Sequence, residues 1–333
     1  MKTTITAVLL CLLAALGLVN VGPSIKDNFF ATHHDASQQY TVRVASHGSA
    51  EEVMIDERFK VSPGGTLEVG LSHADVEITT SDANEAHVRV LLSGSDMTKA
   101  REFFESRNFE VRQDGDRIVV KTNPKKRNWD WSRNGRVEIE VEISIPARFN
   151  AELAMSHGDL EMDDLEGNLS LMNSHGDAEI SSVDGSVADF KLSHGDVEIG
   201  MLKANRVKLR NSHGDLEVDQ ISAKEITAMS SHGDISLGIK EAGALDISNS
   251  HGEIDLSMSS AVGGSISNSH GDIEISTYDN AAMTLDFRGS HVSIDESLSF
   301  RGDAASDKAR GDINGGGPLL KARTSHGSIE IGS

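Results

Sequence analysis

From residue 151 onward, apolar and polar positions alternate in short runs. Val197 and Ile199 flank Glu198, and Val207 and Leu209 flank Lys208, the period-two signature of strands with one face buried. The runs return at a fixed interval marked by one tetrapeptide. Ser-His-Gly-Asp occurs at 156–159, 174–177, 193–196, 212–215, 231–234 and 269–272, and Ser250-His251-Gly252-Glu253 fills the single gap. Consecutive histidines of this set stand 18 or 19 residues apart. So constant a period means one structural unit repeated. Two strand runs and two turns per period describe a rung that cannot bury its inner face alone and must stack on its neighbours.

Stacking puts equivalent residues in columns. Leu160, Ala178, Val197, Leu216, Ile235, Ile254 and Ile273 fall in one, and Leu169, Ala188, Val207, Ile226 and Leu245 fall in another on the opposite sheet. These columns predict a continuous aliphatic core. The fold class read from the pattern is all-β: a β-solenoid, a single-stranded β-helix taken as right-handed, with about 19 residues per rung and two sheets.

The pattern extends beyond the central block, 151–295. Ser72-His73-Ala74-Asp75-Val76-Glu77-Ile78 repeats it with Ala74 in place of the glycine, and Ser325-His326-Gly327-Ser328-Ile329 restates it at the end. The solenoid therefore begins near Gly65. If the turn glycine has a positive φ, Ala74 costs about 1 kcal/mol or the turn differs there. Within 51–150 an insertion interrupts the rungs. Ser95 to Arg107 predicts a helix, Phe109–Val111 and Ile118–Val120 a hairpin around Asp114-Gly115-Asp116, and Val137 to Ile145 an alternating strand. This segment would cap the stack and shield a sheet edge. Over 296–333, residues 298–318, rich in Ser, Gly, Asp and Ala, predict a loop before a last rung.

Residues 1–22 read as a signal peptide or N-terminal anchor. Lys2 precedes an apolar run from Ala7 to Val19, and Ala15-Leu16-Gly17 is a small-x-small cleavage site. Cys11 has Leu9 and Leu10 before it and lacks the small residue that precedes a lipidated cysteine. Residues 23–50 form a polar linker. Composition narrows the function classes: 31 Lys+Arg against 52 Asp+Glu leave no basic footprint for nucleic acid, and one cysteine excludes a disulfide framework.

The opening Phe59 to Val69 with Asp75-Val76-Glu77-Ile78, the junction Val141-Glu142-Ile143-Ser144-Ile145-Pro146-Ala147, and the closing Gly315-Gly316-Gly317-Pro318 before Thr324-Ser325-His326-Gly327 carry a resemblance. Over roughly 53–333 the chain resembles the bacterial putative-adhesin family of β-strand-repeat proteins, long catalogued as a domain of unknown function. The resemblance implies an exported β-helical envelope protein without catalytic residues, linked in some relatives to envelope stress. It also marks a departure: the residue before the turn glycine, small and polar in the family pattern, is His in every central rung.

Columns of like groups are where chemistry would sit. His157, His175, His194, His213, His232, His251 and His270 would stack beside Asp177, Asp196, Asp215, Asp234 and Asp272. Imidazole with carboxylate suits Zn²⁺, and paired carboxylates suit Ca²⁺. A periodic turn needs no ligand, however, and no cofactor is required. The inward Asn173, Asn211, Asn249 and Asn268 read as structural. Lys125, Lys126 and Arg127 lie beside the only tryptophans, Trp129 and Trp131, a candidate surface for lipid headgroups, a wall polymer or another copy. Arg301-Gly302-Asp303, the tripeptide some adhesins present to integrins, reads as accidental in a chain with so many Gly-Asp pairs.

The leading reading is a non-enzymatic, exported binding protein, adhesin-like, in the periplasm, on the cell surface or secreted. Its partners would be protein, wall polymer or glycan of the envelope, with membrane contact through the N-terminal segment. The alternatives are a metal- or pH-responsive envelope-stress sensor using the His/Asp ladder, and a polysaccharide-active β-helix enzyme. No G-x-S-x-G elbow occurs, and near-identical rungs offer no unique acid and base.

Overall fold

The computed structural model describes residues 51–123, 136–278 and 280–333. Strands dominate. The N-terminal part supplies β1 (Glu51–Lys60), β2 (Thr66–Leu71), β3 (Asp75–Ser81), β4 (Glu85–Gly94), α1 (Met97–Arg107), β5 (Phe109–Asp114), β6 (Arg117–Thr122) and β7 (Val137–Pro146). The rungs follow as β8 (Asn150–Met155), β9 (Leu160–Met162), β10 (Leu169–Asn173), β11 (Ala178–Asp184), β12 (Val187–Leu192), β13 (Val197–Arg210), β14 (Leu216–His232), β15 (Ile235–His251), β16 (Ile254–Met258), β17 (Gly264–His270) and β18 (Ile273–Thr277). The chain ends with β19 (Met283–Arg288), β20 (His291–Ile294), β21 (Phe300–Ala305), β22 (Lys308–Ile313), β23 (Leu319–His326) and β24 (Ser328–Gly332).

Parallel pairing in register stacks the rungs. Val197 pairs with Ala178 and Leu216, and Val207 with Ala188 and Ile226. The alternating apolar residues of both runs are buried rung after rung, so the pattern that predicted the strands also lines the core. Side chains are mostly aliphatic, because a column repeating at the ~4.8 Å strand spacing packs branched residues directly on one another.

Each central rung also carries a third strand run, where two were expected. Met201, Leu202, Lys203 and Ala204 pair with Gln220, Ile221, Ser222 and Ala223, and Leu165, Val183, Leu202, Ile221, Ile239 and Met258 form a third buried column. One buried residue per run, set between exposed or half-buried neighbours, leaves no alternation to read.

At both ends the order in space departs from the order in sequence. β2 and β3 lie between later strands: β6 and β7 pair with them on one side, β8 and β9 on the other. Antiparallel β5 then covers β6, and β4 followed by β1 covers β7. Helix α1 buries Ala100 and Phe103 and packs on β4 and β7. Its start is fixed by Asp96, whose carboxylate accepts from the Thr98 and Lys99 amides at 3.0 and 3.3 Å, satisfying two of the amides a helix start leaves open. Asn108 at φ 52° closes it.

The C-terminal end mirrors this arrangement. β23 inserts between β17 and β19, and β24 between β18 and β20. The loop expected over 298–318 holds a hairpin instead, β21 with β22, laid antiparallel on β19. Its Ser, Gly, Asp and Ala composition hid it, since only Ala309 and Ile313 of the two strands are buried.

Candidate functional site

The tetrapeptide is a turn whose backbone requires glycine twice over. Gly158, Gly176, Gly195, Gly214, Gly233, Gly252 and Gly271 have φ between 113° and 131°, a region L side chains avoid. A Cβ on any of them would also lie 2.0–2.3 Å from the turn carbonyl oxygen of the preceding rung. At Ala74 the positive φ moves one residue upstream, to His73 at 61°, so the turn is rebuilt locally. The Asp column clasps the stack. Asp159 accepts the Asp177 amide at 2.9 Å, Asp177 that of Asp196, Asp196 that of Asp215, Asp215 that of Asp234, and Asp234 that of Glu253. Asp272 accepts from Ser328 at 2.6 Å. This bond holds its carboxyl below the ordinary value.

Beneath the turn lies the asparagine column. Asn211 donates to the Gly195 and Gly214 carbonyls at 2.8 and 3.1 Å and accepts from the Ser212 amide. Asn173, Asn249 and Asn268 donate likewise to Gly158, Gly233 and Gly252. The asparagines themselves are buried, and a buried polar group left unpaired would cost roughly 1–3 kcal/mol. Thr324 fills the place in the last rung, donating to the Gly271 carbonyl.

The histidines stack as a ladder longer than the central repeat. His73, His157, His175, His194, His213, His232, His251, His270 and His326 follow one another with ring centroids 4.4–4.8 Å apart. From His175 onward the planes agree within 2°. His291 stands outside the ladder, because the inserted last rung sets His326 against His270. All the stacked rings except that of His73 are exposed.

This geometry bears directly on metal chemistry. An imidazole lone pair lies in the ring plane, and a Zn–N bond is about 2.0–2.1 Å. An ion held in the plane of one ring therefore lies out of the plane of the next ring of the same stack, where that ring's lone pair does not point. Among the described residues, the set of three or more ligating groups that come within reach of one ion is Glu77, Glu140 and Glu142. It contains neither a ladder histidine nor Asp177, Asp196, Asp215, Asp234 or Asp272.

The stack carries an expected acid sensitivity. His73 and His157 are held below the ordinary histidine value, first by burial and then by neighbouring charge, from His157 and Arg107 in one case and His175 in the other. A histidine with a depressed folded pKa contributes its full stability above its unfolded value, near 6.5, and loses it as pH falls from there to the folded value. The thermal midpoint is expected to fall between about pH 6.5 and 5, and to fall less in His157→Asn. A profile flat over that range in the unsubstituted chain would refute it. Asp255, raised by burial and then by Glu274 and Asp234, acts in the opposite sense: its protonation, which sets in above the ordinary aspartate value, favours the fold as pH falls.

The outer face of the β9–β11–β13 sheet carries carboxylates in register. Glu77 pairs with Glu142 and Glu161, Glu161 with Glu179, Glu179 with Glu198, and Glu198 with Glu217. The row breaks at Ser236 and resumes at Asp255 and Glu274. At the break lies a shallow groove lined by Glu217, Asp219, Ser236, Gly238, Asp255 and Glu274. The pairing register exposes this row and its gap, and the tetrapeptide motif does not.

Trp129, Trp131, Lys125, Lys126 and Arg127 lie outside the described residues. Of their flanks, Lys121 pairs with Glu68 and Arg136 with Glu138. Arg301-Gly302-Asp303 lies inside β21, with Asp303 opposite Arg310, and not at a turn apex. No helix among the described residues is long and apolar enough to cross a membrane.

The family model described as Toastrack DUF4097 matches residues 65–331. No curated protein matches the chain. Among solved structures, a putative adhesin from Parabacteroides distasonis is similar at 11% identity and TM-score 0.49, covering 84% of this chain and 96% of that one. A putative lipid-binding protein from the same species is similar at 15% identity and TM-score 0.48, with 85% and 97% covered. A putative adhesin from Parabacteroides merdae is similar at 11% identity and TM-score 0.46, with 84% and 96% covered.

Proposed function

The chain belongs to the Toastrack DUF4097 family, and from that premise we propose that it is an exported, non-enzymatic binding protein of the bacterial envelope, adhesin-like in use. Its working surface is the outer face of a right-handed solenoid with about 19 residues per rung. The observation that supports this most is the in-register carboxylate row from Glu77 through Glu217, continued by Asp255 and Glu274. A side chain repeated at ~4.8 Å intervals gives an extended ligand many equivalent contacts. It gives a reaction no asymmetric set of nucleophile, acid and base. The central block 157–275 holds 22 acidic and 7 basic residues, so the ligand is a cationic or cation-bridged component of the envelope: protein, wall polymer or glycan.

The test is fractionation of cells producing the chain, mass spectrometry of the mature N-terminus, and retention of the purified protein on isolated envelopes across a salt series. The expected results are a chain cleaved near Gly17 in the exported fraction and retention that weakens as salt screens the acidic face. Recovery from the cytosol with residues 1–22 intact, or no retention at low salt, would overturn the reading.

A further inference from the structure

We propose that the histidine ladder is a transition-metal zipper joining two copies of this chain. The inference stands apart from export and from any envelope ligand, because it rests on ring geometry alone. Eight exposed imidazoles, from His157 to His326, follow one another along a single edge of the solenoid. From His175 on, their planes are parallel within 2° and their centroids 4.6–4.8 Å apart. Each lone pair lies in its own ring plane, and parallel planes share no point at which two rings of one stack could hold one ion.

Zn²⁺ bound by one of these rings keeps open positions that its own stack leaves unfilled, since the ion favours four ligands and a second imidazole ranks among its best. That second imidazole has to come from outside the stack. A partner must also keep pace: an array with any other repeat falls out of step within a few ions. A second copy of the same ladder has the same pitch by construction, set by the spacing of its strands. Two copies related by a two-fold axis across the edge would set ring against ring along the whole row, as a self-complementary interface demands. The rings stay stacked throughout.

Charge makes the contact conditional on metal. The Asp column beside the ladder uses one oxygen of each carboxylate to hold the next rung's amide, and the other adds negative charge along the same edge. Two such edges repel until divalent ions enter between them, and the free carboxylate oxygens or waters complete each ion's shell. Protonated imidazole has no lone pair to offer, so acid dissolves the contact.

The experiment is sedimentation velocity of the untagged full chain at pH 7.5, alone, with Zn²⁺, with Zn²⁺ followed by EDTA, and with Mg²⁺. A variant carrying His194→Asn, His213→Asn, His232→Asn and His251→Asn is run beside it. Monomer converting to dimer with Zn²⁺ alone, reversed by EDTA and by lowering the pH to 5.5, is the expected result. The variant should need at least tenfold more protein to dimerise at the same Zn²⁺ concentration. Circular dichroism confirms that it is folded, and should it fail to fold, the pH 5.5 reversal in the unsubstituted chain carries the test. Zinc taken up without a change in mass, a dimer formed equally with Mg²⁺, or a dimer indifferent to both the substitutions and acid would overturn the proposal.

Discussion

Gly214→Ala is expected to lower stability by about 4 kcal/mol, whereas Gly115→Ala should cost only about 1 kcal/mol. Both glycines have a positive φ, 113° and 61°, and a scale of residue preference would treat them alike. Their surroundings separate them. Gly115, at the tip of the β5–β6 hairpin, has nothing within 4 Å of where a Cβ would go, but a Cβ on Gly214 would meet the Gly195 carbonyl oxygen at 2.2 Å. That oxygen accepts from Asn211 at 2.8 Å, so moving it aside disturbs the buried amide as well. Interfaces between rungs carry most of a solenoid's stability, so the injury spreads to both neighbours. Urea unfolding of the two variants checks this. Equal losses would mean that backbone conformation alone, and not the close approach of successive turns, demands glycine.

The same residues show how far the sequence could be read. Strand positions, the two apolar columns, the asparagine column and the stacking of histidines all follow from one period, because in a parallel stack sequence spacing is spatial spacing. Where that identity fails, reading fails with it. The Leu202 column contributes one buried residue per rung and has no alternation. The insertion of β23 and β24 between earlier strands cannot be seen in a chain read from end to end, although the interval from His270 to His326, 56 residues, is its trace. His291, nearer in sequence, has no place in the ladder, because that slot is taken by a segment still to come. The site was legible as composition and not as geometry: the repeat sets histidine and an acidic residue two positions apart in every central rung, but only ring planes and hydrogen bonds show that the aspartates hold the backbone and that the ring planes are parallel.

Ending the chain at Pro318 is expected to detach the C-terminal cap while leaving the central rungs folded. β23 and β24 bury Leu320, Ala322, Ile329 and Ile331 and are the strands through which β19 and β20 join the stack. Three large aliphatic side chains are worth about 1.5–3 kcal/mol each when fully buried, and four hydrogen-bonded ladders are lost with them. Residues 283–313 would keep only their own antiparallel pairing, and a small hairpin set is marginal alone. Upstream, each rung from β8 to β18 still touches both neighbours except the last, whose newly open edge becomes a site for association. Limited proteolysis should cut within 283–318 at least tenfold faster than in the full chain and spare 151–277. A peptide of residues 319–333 added in trans should restore protection, since the slot it leaves is lined on both sides by strands waiting for a partner. Continued protection of 283–313 without the peptide would mean that the cap is held by its own packing and that the last rung is only laid upon it. The arrangement has a consequence for folding order. A rung that must enter between two others is the last to settle, so the solenoid cannot close its C-terminal end until the whole chain is present.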